Sequence, residues 1–164
     1  MIVNIYTDGS ARGNPGNGGY GIVLTSGQFR KELSAGYRLT TNNRMELLAV
    51  IVALQQLKKP NTQVNIYTDS KYVCDAIEKK WVFGWKQKNF AGKKNGDLWN
   101  EFLKIYAQHQ VKMHWVKGHA GHPGNERCDQ LATAAADDRA NLMIDHVYEQ
   151  EQKAEKGLSK LFHI

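Results

Sequence analysis

The sequence predicts an α/β domain built on a mixed five-stranded sheet, three antiparallel strands and then two parallel ones, flanked by helices. Two observations lead there. The hexapeptide VNIYTD occurs twice, at Val3 to Asp8 and at Val64 to Asp69, with a helix-period stretch between the copies. The earlier apolar segments read as strands, and the period changes to that of a helix near Leu47. At 164 residues and 41% apolar content the chain fits one domain able to bury a core without disulfides or metal staples.

Val3 to Thr7 alternates and is rich in β-branched and aromatic residues, so it reads as the first strand. Tyr20 to Thr25 and Gln28 to Ser34 form the next two, joined by the short turn Ser26-Gly27, and the glycine-rich GSARGNPGNGGYG before them reads as a turn. Leu47, Val50, Ile51, Leu54 and Leu57 share one helical face, in a helix that stops at Lys58-Lys59-Pro60. That helix is a crossover, so the second VNIYTD copy can pair parallel to the first. Ser70 is placed to cap a further helix, and a basic stretch follows. Asp97 to His109 then reads as helix, Val111 to Val116 as strand and Asn125 to Ala136 as helix. The surroundings of the two hexapeptides differ, which argues against a duplicated module.

The formal charge is +6, from 22 Lys and Arg against 16 Asp and Glu. Residues 137–164 hold six of the acids and four of the bases, which leaves the first 136 residues at +8. A basic body favours a polyanionic partner. Cys74 and Cys128 lie in apolar-patterned helical stretches and are expected to be buried and reduced. Asp8 interrupts any leader-like apolar run, and the longest such run, LLAVIVAL, is far short of the roughly 18 residues of a spanning helix. A cytoplasmic, monomeric protein with no membrane association is expected.

The acids then acquire a common location. Ligands bind beyond the carboxyl ends of parallel strands, and Asp8 and Asp69 each end a VNIYTD strand. Either one alone would equally open a turn. As a pair on neighbouring parallel strands they lie side by side, which raises one another's pKa or calls for a cation. Glu46 stands at capping-box spacing from Asn43, and it could also project toward the strand ends. Asp129, within GNERCDQLATAAA, has small alanines one turn along and is the fourth candidate. Four carboxylates without matched bases suit Mg²⁺, with Mn²⁺ as a substitute, and a pair of such ions about 3.5–4 Å apart suits phosphodiester cleavage.

At this point the chain resembles the type 1 ribonucleases H. YTDGSARGNPGNGGYG, TTNNRMEL, YTDSKYV and WVKGHAGHPGNERCDQLA match that family's blocks in order and spacing over residues 1–136. The resemblance implies a ribonuclease H-like fold, with a catalytic domain at 1–136 and an extension at 137–164. It implies endonucleolytic hydrolysis of the RNA strand of an RNA–DNA hybrid, leaving 5′-phosphate and 3′-hydroxyl ends. Asp8, Glu46, Asp69 and Asp129 would be the metal ligands. Asp8 would bridge two ions, with Asp129 on the nucleophile side and Glu46 and Asp69 on the leaving-group side. His119 and His122 are equally eligible proton carriers by position, and the family pattern selects His119. Asn125 would help to place the phosphate or its water. Asn14, Asn42 and Asn43 match positions the family uses on the hybrid, and their amides can both donate to and accept from a ribose 2′-hydroxyl. Asn42 and Asn43 also look like helix caps. Lys71 stands where the family often has a glutamine that touches RNA. Thr41 and Asn95 resemble a pocket for a DNA phosphate, with Leu39 where some relatives have arginine.

Lys79 to Gly96, KKWVFGWKQKNFAGKKNG, carries six lysines, four aromatics and no acid. Lys79, Lys80, Lys86, Lys88, Lys93 and Lys94 are expected to hold nucleic-acid backbone, with Trp81 and Trp85 packed inward beneath them. By the resemblance this is the basic protrusion that grips the DNA strand. With no further hybrid-binding module in view, substrate affinity is expected from this domain. Beyond residue 137 a polar helix-forming stretch ends in LSKLFHI, read either as a helix packing on the domain or as an exposed docking peptide. Two other functions compete. A DNA strand transferase of the integrase or transposase kind could share the fold, but the asparagines suited to a 2′-hydroxyl argue against it. A non-catalytic hybrid-binding protein would be indicated by loss of an acid, and all four are present.

Overall fold

The computed structural model describes residues 1–118 and 121–162. Strands β1 (Ile2–Arg12), β2 (Gly16–Ser26) and β3 (Phe29–Thr40) form an antiparallel meander. Helix α1 (Asn42–Gln55) crosses over to β4 (Gln63–Thr68), which lies parallel to β1. Helices α2 (Lys71–Glu78), α3 (Trp81–Gln87) and α4 (Gly96–Tyr106) precede β5 (Gln110–Trp115), parallel to β4. Helix α5 (Pro123–Asp137), a 3-10 turn at Arg139–Asn141 and helix α6 (His146–Phe162) follow. The sheet order is β3-β2-β1-β4-β5, as the sequence predicts.

The two hexapeptides pair residue for residue. Val3 faces Val64, Asn4 faces Asn65, Ile5 faces Ile66 and Tyr6 faces Tyr67. Identical side chains are thereby laid side by side, with an amide hydrogen bond of 3.2 Å from Asn65 to Asn4 and stacked Tyr6 and Tyr67 rings 5.1 Å apart. Cross-strand pairs of this kind are the unit of sheet stabilisation. One face of the sheet carries Ile5, Ile22 and Ile66, all buried, in the core that α1 covers over β1 and β2, with α4 packed on α1 and α2 on β5. Helix α5 covers β1, β2 and β3 on the other face.

The strands run further than their apolar alternation suggests. GSARGNPGNGGYG is mostly strand, with a turn only over residues 13–15. Its glycines are there for packing: a Cβ on Gly19 or Gly21 would collide with backbone of α5, at Ala132 and Cys128 respectively. The small residues of α5 let it lie directly on the sheet. The basic stretch is also more ordered than its composition suggests, since it contains α3. Cys74 on α2 and Cys128 on α5 are buried free thiols. The end of α6 does not pack its apolar residues on the domain: Leu158, Leu161 and Phe162 are all more than half exposed. His163 and Ile164 lie outside the described residues. No helix among those described is long and apolar enough to cross a membrane.

Candidate active site

The parallel register that joins Tyr6 to Tyr67 brings Asp8 and Asp69 together just past the last β1–β4 pair, Asp69 following the end of β4 while β1 runs on through Asp8 to Arg12 beside β2. Glu46 arrives from the first turns of α1. Gly9 makes this possible, because a Cβ there would collide with the backbone of Met45 and Glu46. The Gly9 N–H donates to Asp8 Oδ1 at 2.9 Å and to Glu46 Oε1 at 3.0 Å, holding both carboxylates from one backbone group. Thr68 Oγ1 donates to Glu46 Oε2 at 3.4 Å while accepting from Ser70 N–H at 3.1 Å. Glu46 is therefore committed to the strand ends. The capping-box alternative is not formed: Thr41 is the N-cap of α1, accepting from Arg44 N–H at 3.2 Å. Asn42 and Asn43 are not the cap, because the chain leaves β3 one residue earlier.

Asp8, Glu46 and Asp69 each present an oxygen within 4.8 Å of the others'. Glu46 is buried, at 7% exposure, while Asp8 and Asp69 are half-buried. Burial raises the Glu46 carboxyl well above its ordinary range, and the Asp8 charge, then the Asp69 charge, adds to the rise. Burial likewise lifts Asp8 to about 7, with the hydrogen bond to Glu46 working against the rise and the Asp69 and Asp129 charges adding to it. Among the described residues neither Asp8 nor Glu46 has a Lys or Arg partner. Three converging hard oxygen donors with unbalanced negative charge fit a divalent cation that prefers oxygen ligands.

Asp129 on α5 stands outside that trio but lines the same cavity as Asp8 and Asp69. Asn125 lines it too, donating from Nδ2 to the Tyr67 carbonyl at 3.0 Å. Its Oδ1 is buried without a hydrogen bond from a described residue, beside a cavity that Asp8, Asp69 and Asp129 line together with Lys117 and His122. His122 is exposed on the rim, and His119 lies outside the described residues. On the opposite side of the acids, Asn42 Oδ1 accepts from Ala11 N–H at 2.6 Å and Asn14 Oδ1 accepts from Asn42 N–H at 3.2 Å. These amides tie the β1–β2 hairpin to the start of α1. Asn43 is exposed beside them in the groove that also holds Asp8 and Glu46.

The basic surface adjoins this groove through Lys71 and Tyr72 of α2, which line both. Trp81 does not turn inward. It is 47% exposed, with Lys79 Nζ 5.1 Å from its ring centre, and Val82 fills the interior in its place. Trp85 is half-buried in an edge-to-face contact with Trp99, with Lys93 Nζ at 5.1 Å from its ring. Lys80, Lys88 and Lys94 are exposed, and Lys86 hydrogen-bonds Asn100.

The sequence reading missed Arg44. It is 2% exposed and holds two acids: Asp97 at 2.8 and 2.9 Å, and Asp145 at 2.7 and 3.0 Å. Its Nη1 also donates to Asn95 Oδ1 at 3.3 Å. Thr40 donates to Asp145 at 2.9 Å and the Tyr148 ring lies 5.9 Å from the guanidinium, so the segment after α5 braces α1. The signal available in the sequence was an arginine inside an otherwise apolar helix face, with Asp97 opening a later helix.

The sheet order and its helical layers define a ribonuclease H-like fold. The RNase H family model matches residues 1–137. A ribonuclease H of Desulforamulus reducens is 56% identical over 148 residues, covering 87% of this chain and 92% of that protein. One of Rippkaea orientalis is 52% identical over 154 residues, covering 91% and 93%. Among solved structures, LC9-RNase H1, a type 1 RNase H with the type 2 active-site motif, matches with a TM-score of 0.74 at 34% identity, over 82% of this chain and 72% of that one. LC11-RNase H1, solved in complex with an RNA/DNA hybrid, matches with a TM-score of 0.66 at 28% identity, over 85% and 99%. The chain belongs to the RNase H family.

Proposed function

We propose that the chain hydrolyses the RNA strand of RNA–DNA hybrids, using Asp8, Glu46, Asp69 and Asp129 to hold divalent cations, Mg²⁺ in the first place. The observation that carries this is the trio of carboxylate oxygens within 4.8 Å in a chain whose first 136 residues are strongly basic. Bound there, a pair of cations would polarise the phosphodiester and favour its attack by water. The chain's own residues supply the rest. Gly9 and Thr68 fix the direction of Glu46, and Asn125 offers an acceptor to a water or a hydroxyl. Asn14, Asn42 and Asn43 face the ribose, with the Asn42 amide nitrogen left to donate because its oxygen is occupied. Lys71 and the lysines between 79 and 94, with Trp81 and Trp85, hold the backbone of the DNA strand, and Thr41 and Asn95 one of its phosphates. His119 carries a proton in product release. Residues 1–136 are the catalytic unit, braced by the first part of the 137–164 extension.

The test is cleavage of one labelled strand in four duplexes: RNA–DNA, RNA–RNA, DNA–DNA, and DNA–DNA containing several ribonucleotides. Each is run with Mg²⁺, with EDTA, and with Asp8→Asn. Metal-dependent cutting of RNA only where it pairs with DNA, lost in the variant, is expected. Cutting of the all-DNA duplex would replace this reading with a strand transferase, and tight hybrid binding without cutting would replace it with a binding protein.

A further inference from the structure

The two aspartates of the acidic trio are held in different ways. Asp8 lies inside β1, paired with Gly21 of β2, and accepts from the Gly9 N–H. Asp69 lies one residue past β4, where the paired register with β1 has ended at Tyr67 and that with β5 at Thr68. The end of β5 reaches it there. Val116 N–H donates to the carbonyl of Thr68, the residue before Asp69, at 2.9 Å. The Trp115 indole N–H then donates to the Asp69 carbonyl at 3.0 Å. A Cβ on Gly118 would stand 2.9 Å from Asp69 Oδ2, so the chain leaving β5 passes directly beside the carboxylate.

Trp115 is not a core residue. Met113 fills the interior from β5, while Trp115 is 47% exposed. A ring left half in water gains only part of what full burial would give, and two directional contacts account for its placement. Lys71 Nζ lies 5.0 Å from the centre of the ring, within reach of the attraction between an ammonium and an indole face. The indole edge meanwhile presents its single donor to Asp69. Lys71 opens α2 two residues after Asp69, so one side chain clasps the bend at its carbonyl and at its exit. Ser70 N–H, bound to Thr68 Oγ1 at 3.1 Å, ties the same bend to the hydroxyl that reaches Glu46.

We infer that Trp115 is a positioning residue for Asp69. Its N–H, with the ring held by Lys71, fixes the main chain just past β4 and with it the direction of the carboxylate toward Asp8 and Glu46. The inference rests on the reading above, in which these acids hold divalent cations. Groups that orient a metal ligand govern affinity much as the ligand itself does. Here the orienting bond acts on the ligand's own backbone.

Trp115→Phe keeps a ring for Lys71 and removes the donor. Two quantities are measured for both proteins: the Mg²⁺ concentration that half-saturates hybrid cleavage and, with no hybrid present, Mg²⁺ binding by titration calorimetry. The variant is expected to need roughly 2–10-fold more Mg²⁺ in both, the range of one hydrogen bond between neutral groups, with KM for the hybrid at saturating Mg²⁺ within about twofold. A merely structural role would lower the melting temperature in EDTA and leave both Mg²⁺ values where they are. An unchanged Mg²⁺ requirement in cleavage and in calorimetry overturns the inference. A wild-type protein that neither binds Mg²⁺ nor cuts a hybrid would instead overturn the proposed function.

Discussion

Helix α1 carries two buried charge clusters whose anchoring residues are neighbours in sequence and opposites in electrostatics. Arg44 faces one way into Asp97 and Asp145, where donors and acceptors are matched in bidentate geometry. Glu46 faces Asp8 and Asp69, where like charges are gathered without a basic partner for Asp8 or Glu46 among the described residues. The first cluster is complete within the protein. The second gathers negative charge that a cation would balance, an arrangement expected of a site rather than of a scaffold. About half a helix turn separates a group that stabilises the fold from a group that the fold must hold against its own repulsion.

The sharpest break of this contrast is to neutralise one member of the acidic cluster. Glu46→Gln keeps the shape and the Gly9 hydrogen bond but removes a charge. Hybrid cleavage is expected to fall by about 10²-fold or more, on the scale of losing one electrostatic group at a reacting centre. In EDTA the same variant is expected to melt at a higher temperature than wild type, because burial and the Asp8 and Asp69 charges raise the Glu46 carboxyl and its ionised form opposes folding above its unfolded pKa. Thermal melting with and without Mg²⁺ checks it. A variant equally stable or less stable in EDTA would mean that the acids are not in conflict.

The Arg44 cluster should answer in the opposite sense. Arg44→Met leaves Asp97 and Asp145 without their cation, a loss of roughly 3–5 kcal/mol for a buried pair broken on one side. Burial alone would raise Asp97, but hydrogen bonds and charge from Arg44 outweigh it and hold the carboxyl below its ordinary value. A depressed carboxylate contributes stability above its unfolded pKa and loses it as pH falls through the folded one. Wild-type stability should therefore decline on acidification below about pH 4, the ordinary carboxylate pKa. In Arg44→Met that part of the acid limb should flatten. Chemical denaturation from pH 3 to pH 7 measures both.

These two clusters were unequally legible in the sequence. The acidic one could be seen because two identical hexapeptides end in Asp8 and Asp69 and parallel pairing lays them side by side, even though β1 itself runs on to Arg12. Glu46 was ambiguous only between a local and a distant partner, and Gly9 decides for the distant one by letting α1 approach β1. Arg44 could not be seen, because its partners lie 53 and 101 positions away and no periodicity marks them. The inward turn of Val82 instead of Trp81 was hidden for a related reason. Helix α3 follows Lys80 in a left-handed conformation, which rotates the next turn by an amount that local composition does not encode. The glycines of β2 were legible as glycines but misread as turn-formers, since their role is set by α5, roughly a hundred residues later.

The mildest test concerns the exposed lysines, which contrast with both buried clusters by having charge that solvent already satisfies. Each phosphate neutralised by a lysine releases bound counterion, so the slope of log K against log salt falls by about 0.7–0.9 for each phosphate no longer neutralised. Lys80, Lys88 and Lys94 are exposed and distributed along the protrusion. Their joint replacement by glutamine should reduce the slope by roughly 2, with thermal stability unchanged within about 0.5 kcal/mol, as for surface substitutions generally. Binding of a hybrid to the wild-type protein and the triple variant in EDTA, over roughly 50 to 200 mM salt, measures it without cleavage. An unchanged slope would detach these lysines from the substrate path and leave Lys71 and Lys93, which line the groove beside Tyr72, to hold the backbone.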